Sequence, residues 1–241
     1  MTLLAVERMK LFSTRSPWWC ISLALVLTVG MAAMMAWQWD GPMTLGMTQG
    51  GRQLGMMVML VLAALSVTTE YRFGTIRATF LAVPNRIAAL VAKAVVVAVL
   101  ALVVGEVAAF GSWGLAGVLS PESDLALSGV DAWRQVAGGG LVYGLCAILA
   151  VGVGALVRQS AGAITLLLLW PLLVENLISL IPNIGPEIQK WMPFSSVSHF
   201  LAADVSGSDM PFGQWAALGY FAAVSVAVFA LALFVTHRRD A

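Results

Sequence analysis

The chain has 241 residues, 60% of them hydrophobic and 10% charged, with a mean hydropathy of +0.91. A soluble domain carries about a quarter charged residues, so this composition excludes a water-soluble globule and places the chain in a bilayer. The formal net charge of +1 says less than the distribution of the charges.

The first sixteen residues, MTLLAVERMKLFSTRS, put Leu3, Leu4, Val6, Met9 and Phe12 near one helical face, with Glu7, Arg8, Lys10 and Arg15 elsewhere. Such a segment lies in the membrane interface rather than crossing it. The apolar run that opens at Pro17 is long enough to span and lacks the short core and small-residue cleavage site of a signal peptide.

Six apolar runs follow in chain order, at 17–37, 53–69, 95–118, 136–157, 161–181 and 212–236. The second is short, and the third starts earlier if Lys93 snorkels to the headgroups. The connections then fall into two sets. One holds Arg8, Lys10, Arg15, Arg72, Arg77, Arg86, Lys93, Arg158, Arg238 and Arg239, ten of the thirteen basic residues. The other holds Arg52, Arg134 and Lys190 beside acids that include Asp40, Glu122, Asp124, Asp131, Glu187, Asp204 and Asp209. The positive-inside rule therefore puts both termini in the cytoplasm. Trp18, Trp19, Trp37, Trp39, Trp133, Trp191 and Trp215 flank the ends of spans, where an amphipathic ring prefers the interface.

Within the spans, Gly140 and Gly144 form a small-xxx-small pair that permits close helix approach. Two acids, Glu106 and Glu175, fall inside apolar runs, where a carboxylate is costly. Each has a structural reading, Glu106 hydrogen-bonded within the bundle and Glu175 capping the outer segment after it. Each also has a functional one, lining a translocation route and attracting a cationic amphiphile. Glu175, beside Asn176 and four residues after Pro171, is the preferred substrate contact. Met31, Met34, Met35, Met43, Met47, Met56, Met57 and Met59 bracket the first outer loop. Thioethers suit Cu(I), but with no Cys or His in the group, soft packing or a greasy substrate surface is the expectation.

No G-x-x-x-x-G-K-[ST] occurs, so the chain does not hold ATP phosphates in the P-loop manner. His199 and His237 fall on opposite sides of the membrane, and no paired Cys/His spacing suggests zinc. The chain is expected to have no catalytic site, no metal and no cofactor of its own.

One charged stretch breaks the hydrocarbon, EYRFGTIRATFLAVPNRIAALVAKA, from Glu70 to Ala94. Its order of Glu70, Gly74, Thr75, Ile76, Leu81, Pro84, Arg86 and Lys93 resembles the cytoplasmic loop of ABC-2 type transporter permeases, with Ala92 where that family commonly has Gly. The resemblance covers essentially the whole chain, read as one transmembrane domain over 1–241. It implies an all-α integral membrane protein with six transmembrane helices, an N-terminal interface helix (1–16), a cytoplasmic coupling helix (70–84) and short outer re-entrant helices (182–211). It further implies a permease that pairs with a second permease, identical or related, and with two cytoplasmic ABC ATPase subunits that bind the ATP and magnesium. Glu70, Tyr71, Arg72, Gly74, Thr75 and Arg77 would couple to the ATPase beside Glu7, Arg8 and Lys10 of the interface helix. The expected function is export of a hydrophobic or amphipathic compound, such as a drug, antibiotic or lipid-like molecule, across a bacterial cytoplasmic membrane, with no nucleic-acid partner. Two alternatives stand beside it: a proton-coupled carrier using Glu106 and Glu175, and a non-transporting membrane anchor for an ATPase.

Overall fold

In hydrocarbon a backbone N–H or C=O finds no water, so an apolar run satisfies itself by forming a helix. The computed structural model describes residues 2–82, 85–203 and 210–238, and every regular element among them is helical. Pro84, Asp204, Asp209, Arg239 and the Arg77 side chain lie outside the described residues.

A ten-residue helix α1 (Leu3–Phe12) precedes α2 (Ser16–Gln38). A short α3 (Leu45–Thr48) leads into α4 (Arg52–Arg72), and α5 (Thr75–Ala82) follows. Two long helices come next, α6 (Arg86–Leu119) and α7 (Gly129–Val157). Then α8 (Ser160–Leu169) passes through a π-helical turn (Trp170–Val174) into α9 (Glu175–Ser179). After α10 (Gly185–Gln189) and α11 (Pro193–Leu201), α12 (Gln214–Arg238) completes the fold. Six stretches among the described residues are long and apolar enough to cross a membrane: Ser16–Gln38, Leu45–Arg72, Arg86–Leu119, Gly129–Val157, Ser160–Ser179 and Gln214–Arg238.

The central helix is α7, which packs against α6, α12, α4, α8 and α11. Its glycines explain why. A Cβ at Gly144 would reach Ala98 O at 3.4 Å, one at Gly152 would reach Phe229 Cα at 3.0 Å, and one at Gly154 would reach Ala64 O at 3.2 Å. Three neighbouring helices therefore approach α7 at backbone distance, the geometry that small residues allow in membranes. The Gly140/Gly144 expectation holds on the α6 side. In the apolar window of α7, 72% of residues are buried, against 17% in α12 and 22% in α2. These outer helices turn most of their surface away from the bundle.

The sequence placed two boundaries differently, and a third charge is buried on α1. The second span continues through Glu70, Tyr71 and Arg72, which belong to α4 rather than to a loop. The third begins at Arg86, so Lys93 is a buried residue inside α6 rather than one that snorkels to the headgroups. On α1, Glu7 is the buried residue, while Leu4 and Met9 are exposed and Leu3, Val6 and Phe12 are half-buried. In each case a charged side chain has found a buried partner that apolar counting does not see. The methionines pack, as expected. Met43 is buried with Ala36, Ala116 and Leu125, with Met35 and Met47 against that group.

Candidate functional site

Two polar sites occupy opposite ends of α4, about 27 Å apart at 1.5 Å per residue between Arg52 and Glu70.

At the Glu70 end, four helices meet on four charges. Lys93 Nζ of α6 donates to Glu7 Oε2 of α1 at 2.6 Å and to Glu70 Oε1 of α4 at 2.9 Å. Lys10 Nζ donates to Glu7 Oε1 at 2.7 Å and to Thr79 Oγ1 of α5 at 3.0 Å, and reaches Glu70 Oε1 at 3.5 Å. Two acids and two bases cancel, the condition under which charges tolerate burial. Glu70 sits in the last turn of α4, where the helix dipole disfavours an acid, and the two ammonium groups offset that. Burial alone would raise the Glu7 carboxyl, but Lys93 and Lys10 outweigh it and hold its pKa below the ordinary value. Burial would likewise lower Lys10, yet Glu7 and Glu70 prevail and raise it.

The other residues expected here divide. Tyr71 lies under the Arg158 guanidinium, 5.1 Å from ring centroid to Cζ, which ties this end of α4 to the α7–α8 corner. Ser160 Oγ donates to Thr68 Oγ1 at 2.9 Å at the same corner. Arg72 is exposed, over the Phe73 ring at 5.6 Å. Gly74 makes the bend into α5 at φ +70°, a conformation favouring glycine. Thr75 Oγ1 donates to Glu70 O at 3.5 Å, and Arg77 lies on α5. Arg8 stays outside the cluster, bordering an apolar groove between α1 and α6. Phe73 and Leu81, at the two ends of α5, are 71% and 85% exposed. Sequence reasoning missed Thr79 as a partner.

At the Arg52 end, a cavity of about 720 Å³ opens between α4, the π turn, α9, α10 and α11. Pro171 brings no N–H to the ladder, and the chain answers with the π turn, closed by Glu175 N–H donating to Trp170 O. Glu175, 4% exposed, then turns its carboxylate onto the start of α11. Oε1 accepts from Phe194 N at 3.0 Å and Trp170 Nε1 at 3.1 Å, and Oε2 from Ser195 N at 2.8 Å and Ser195 Oγ at 3.1 Å. It is a cap supplied from another helix, satisfying first-turn donors that would otherwise be orphaned. Of the two readings of Glu175, its hydrogen bonds match the structural one. Asn176 Nδ2 donates to Leu172 O at 2.8 Å.

Arg134 matches this cap at the other end of α11. Its guanidinium donates to Phe200 O, to Ala202 O at 3.0 Å, and to Asp131 Oδ1 at 3.3 Å. An acid at the N-terminus and a base at the C-terminus both suit the helix dipole. Sequence reasoning missed Arg134, whose signal was its being one of three basic residues in the acid-rich set of connections.

Arg52 was also missed. It donates to Gln135 O, its own carbonyl accepts from Tyr143 Oη at 2.8 Å, and its buried Nε has no partner among the described residues. Nearby Gln49, 6% exposed, donates to Thr48 Oγ1 and Ala109 O at 3.1 Å each and leaves its own Oε1 unpartnered.

Glu106 differs from its expectation. Against Gly140 of α7, it has no hydrogen-bond partner among the described residues, and its Oε2 is buried. It faces a separate cleft with Trp133, Leu141 and Trp215.

No protein-family model matches this chain, and no curated protein matches it either.

Proposed function

We propose that the chain is the permease subunit of an ATP-driven exporter, moving a hydrophobic or amphipathic compound across a bacterial cytoplasmic membrane. A separate ABC ATPase hydrolyses the ATP, and a second permease, identical or related, completes the pathway. Both termini are cytoplasmic by the charge distribution, which puts the ionic cluster inside and the Arg52 cavity outside. In this orientation α1 is the interface helix, α5 the coupling helix, and α10 and α11 the outer re-entrant pair.

The observation that carries the reading is the mounting of α5. A coupling element must present a surface to a partner and pass its movement to the spans. Phe73 and Leu81 offer exposed apolar contact at the two ends of α5. Behind them, Thr79 and Glu70 join α5 and α4 through Lys10 and Lys93 to α1 and α6. A push on α5 is thus delivered through the hydrogen bond from Lys10 to Thr79, and onward through ionic contacts, to three further helices. Cross-linking from a photoreactive residue at Leu81 in native membranes tests it. An adduct with a P-loop ATPase supports the reading, and labelling of lipid alone opposes it.

A proton-coupled carrier is the second reading, favoured by Glu106, whose buried Oε2 has no hydrogen-bond partner among the described residues. Transport that persists without ATP and follows the pH gradient would select it.

A further inference from the structure

We propose that the cavity beneath α11 binds the acidic head group of an amphiphile, a carboxylate or a phosphate monoester, on Arg52. This deepens the exporter reading and rests on it only for the step in which the bound compound is moved.

The cavity's volume of about 720 Å³ lies within the usual range for small-molecule sites. Its lining mixes polar Gln49, Arg52 and Gln53 with apolar Met56, Phe194 and Leu201. That mixture suits a polar head with an apolar tail.

The balance of charge decides the sign of the head. Glu175 is the cavity's own acid, and its two oxygens already accept four hydrogen bonds from the start of α11 and from Trp170. Lys190 also lines the cavity and is paired with Glu187 at 2.6 Å. Arg52 lines the cavity and makes no ion pair among the described residues; a backbone carbonyl takes one of its donors, while its Nε is buried against Gly139 of α7. A guanidinium at the edge of a bilayer without a counter-ion is costly, and its planar fork matches carboxylate and phosphate geometry. The cationic selectivity expected from Glu175 is therefore reversed.

The test uses the purified full chain in nanodiscs of neutral phosphatidylcholine, with empty nanodiscs as baseline. The probe is dansyl-undecanoic acid, followed by fluorescence, beside its methyl ester and a dansyl-alkyl trimethylammonium of equal length. The acid is expected to bind about tenfold more tightly than the ester, as one charge-assisted hydrogen bond allows. Arg52→Gln should remove that preference and Arg52→Lys restore part of it. Because Arg52→Gln also breaks the bond to Gln135, Gln53→Glu provides a second test. It leaves that bond intact, sets a negative charge on the cavity wall, and should weaken acid binding several-fold. Competition by lysophosphatidic acid would extend the site to phosphate monoesters, and its failure would narrow the site to carboxylates. Equal binding of acid and ester, preference for the trimethylammonium probe, or unchanged acid binding in both Arg52→Gln and Gln53→Glu would overturn the assignment. Cross-linking to an ATPase is read separately, so failure of either experiment leaves the other standing.

Discussion

Glu7 and Lys93, 86 residues apart in the chain, meet at 2.6 Å with both side chains more than nine-tenths buried. This pair and its extension to Glu70 hold α1 against the bundle, together with Leu11, which packs on the main core. Lys93→Met would leave Glu7 and Glu70 sharing only Lys10, and should cost about 3 kcal/mol, as when one partner of a buried pair is removed. Glu7→Gln combined with Lys93→Met should cost less than the sum of the single changes. Melting curves in detergent provide the full cycle, and additive losses would mean that the two residues act independently.

The same cluster gives stability a pH dependence at both ends. The Glu7 pKa is lower folded than its ordinary 4.5, so its contribution is complete above that value and lost as pH falls through the lowered one. The Lys10 pKa is higher folded than its ordinary 10.5, so its contribution is complete below that value and lost as pH rises through the raised one. Glu7→Gln should flatten the acid limb of a melting-temperature profile, and Lys10→Met the alkaline limb.

Glu175→Gln should act on folding before it acts on cargo. An amide keeps one acceptor oxygen but points an NH₂ group at the N–H donors of α11, a mismatch costing about 1–3 kcal/mol. The melting temperature should fall, and export of cationic and uncharged compounds should decline together. Selective loss of cationic cargo at unchanged stability would return Glu175 to substrate recognition.

The spans were legible because a bilayer requires a run of about twenty apolar residues, and each expected run overlaps an observed helix. Their ends were less so, because the deciding partners are remote in sequence. α4 extends through Glu70, which meets Lys93 23 residues on and Lys10 60 residues back. The cap on α11 reaches back 19 and 20 residues to Glu175, and its C-terminal anchor reaches back 66 and 68 to Arg134. The Gly140 and Gly144 spacing was readable, since it is local to one helix. The exchange of expectations between Glu106 and Glu175 was not, since both are single acids in apolar runs.

Glu106 supplies its own check. Its Oε2 has no hydrogen-bond partner among the described residues, so Glu106→Gln should leave the melting temperature unchanged or raise it. A Cβ at Gly140 would meet the flexible end of the Glu106 side chain, which can swing into the cleft it faces, so Gly140→Ala should destabilise by about 1 kcal/mol at most, the low end for overpacking. Glu106→Ala in the same chain should recover part of that loss.

The central claim is that α5 receives force from an ATPase, and affinity purification of the tagged chain from its native membrane in mild detergent tests it most directly. The account predicts a companion chain carrying G-x-x-x-x-G-K-[ST] and ATP hydrolysis in the eluate. Both should be lost on Leu81→Asp, with the melting temperature of the chain unchanged, because Leu81 is 85% exposed. Recovery of no P-loop protein, with transport in vesicles that needs a pH gradient and no ATP, would contradict it.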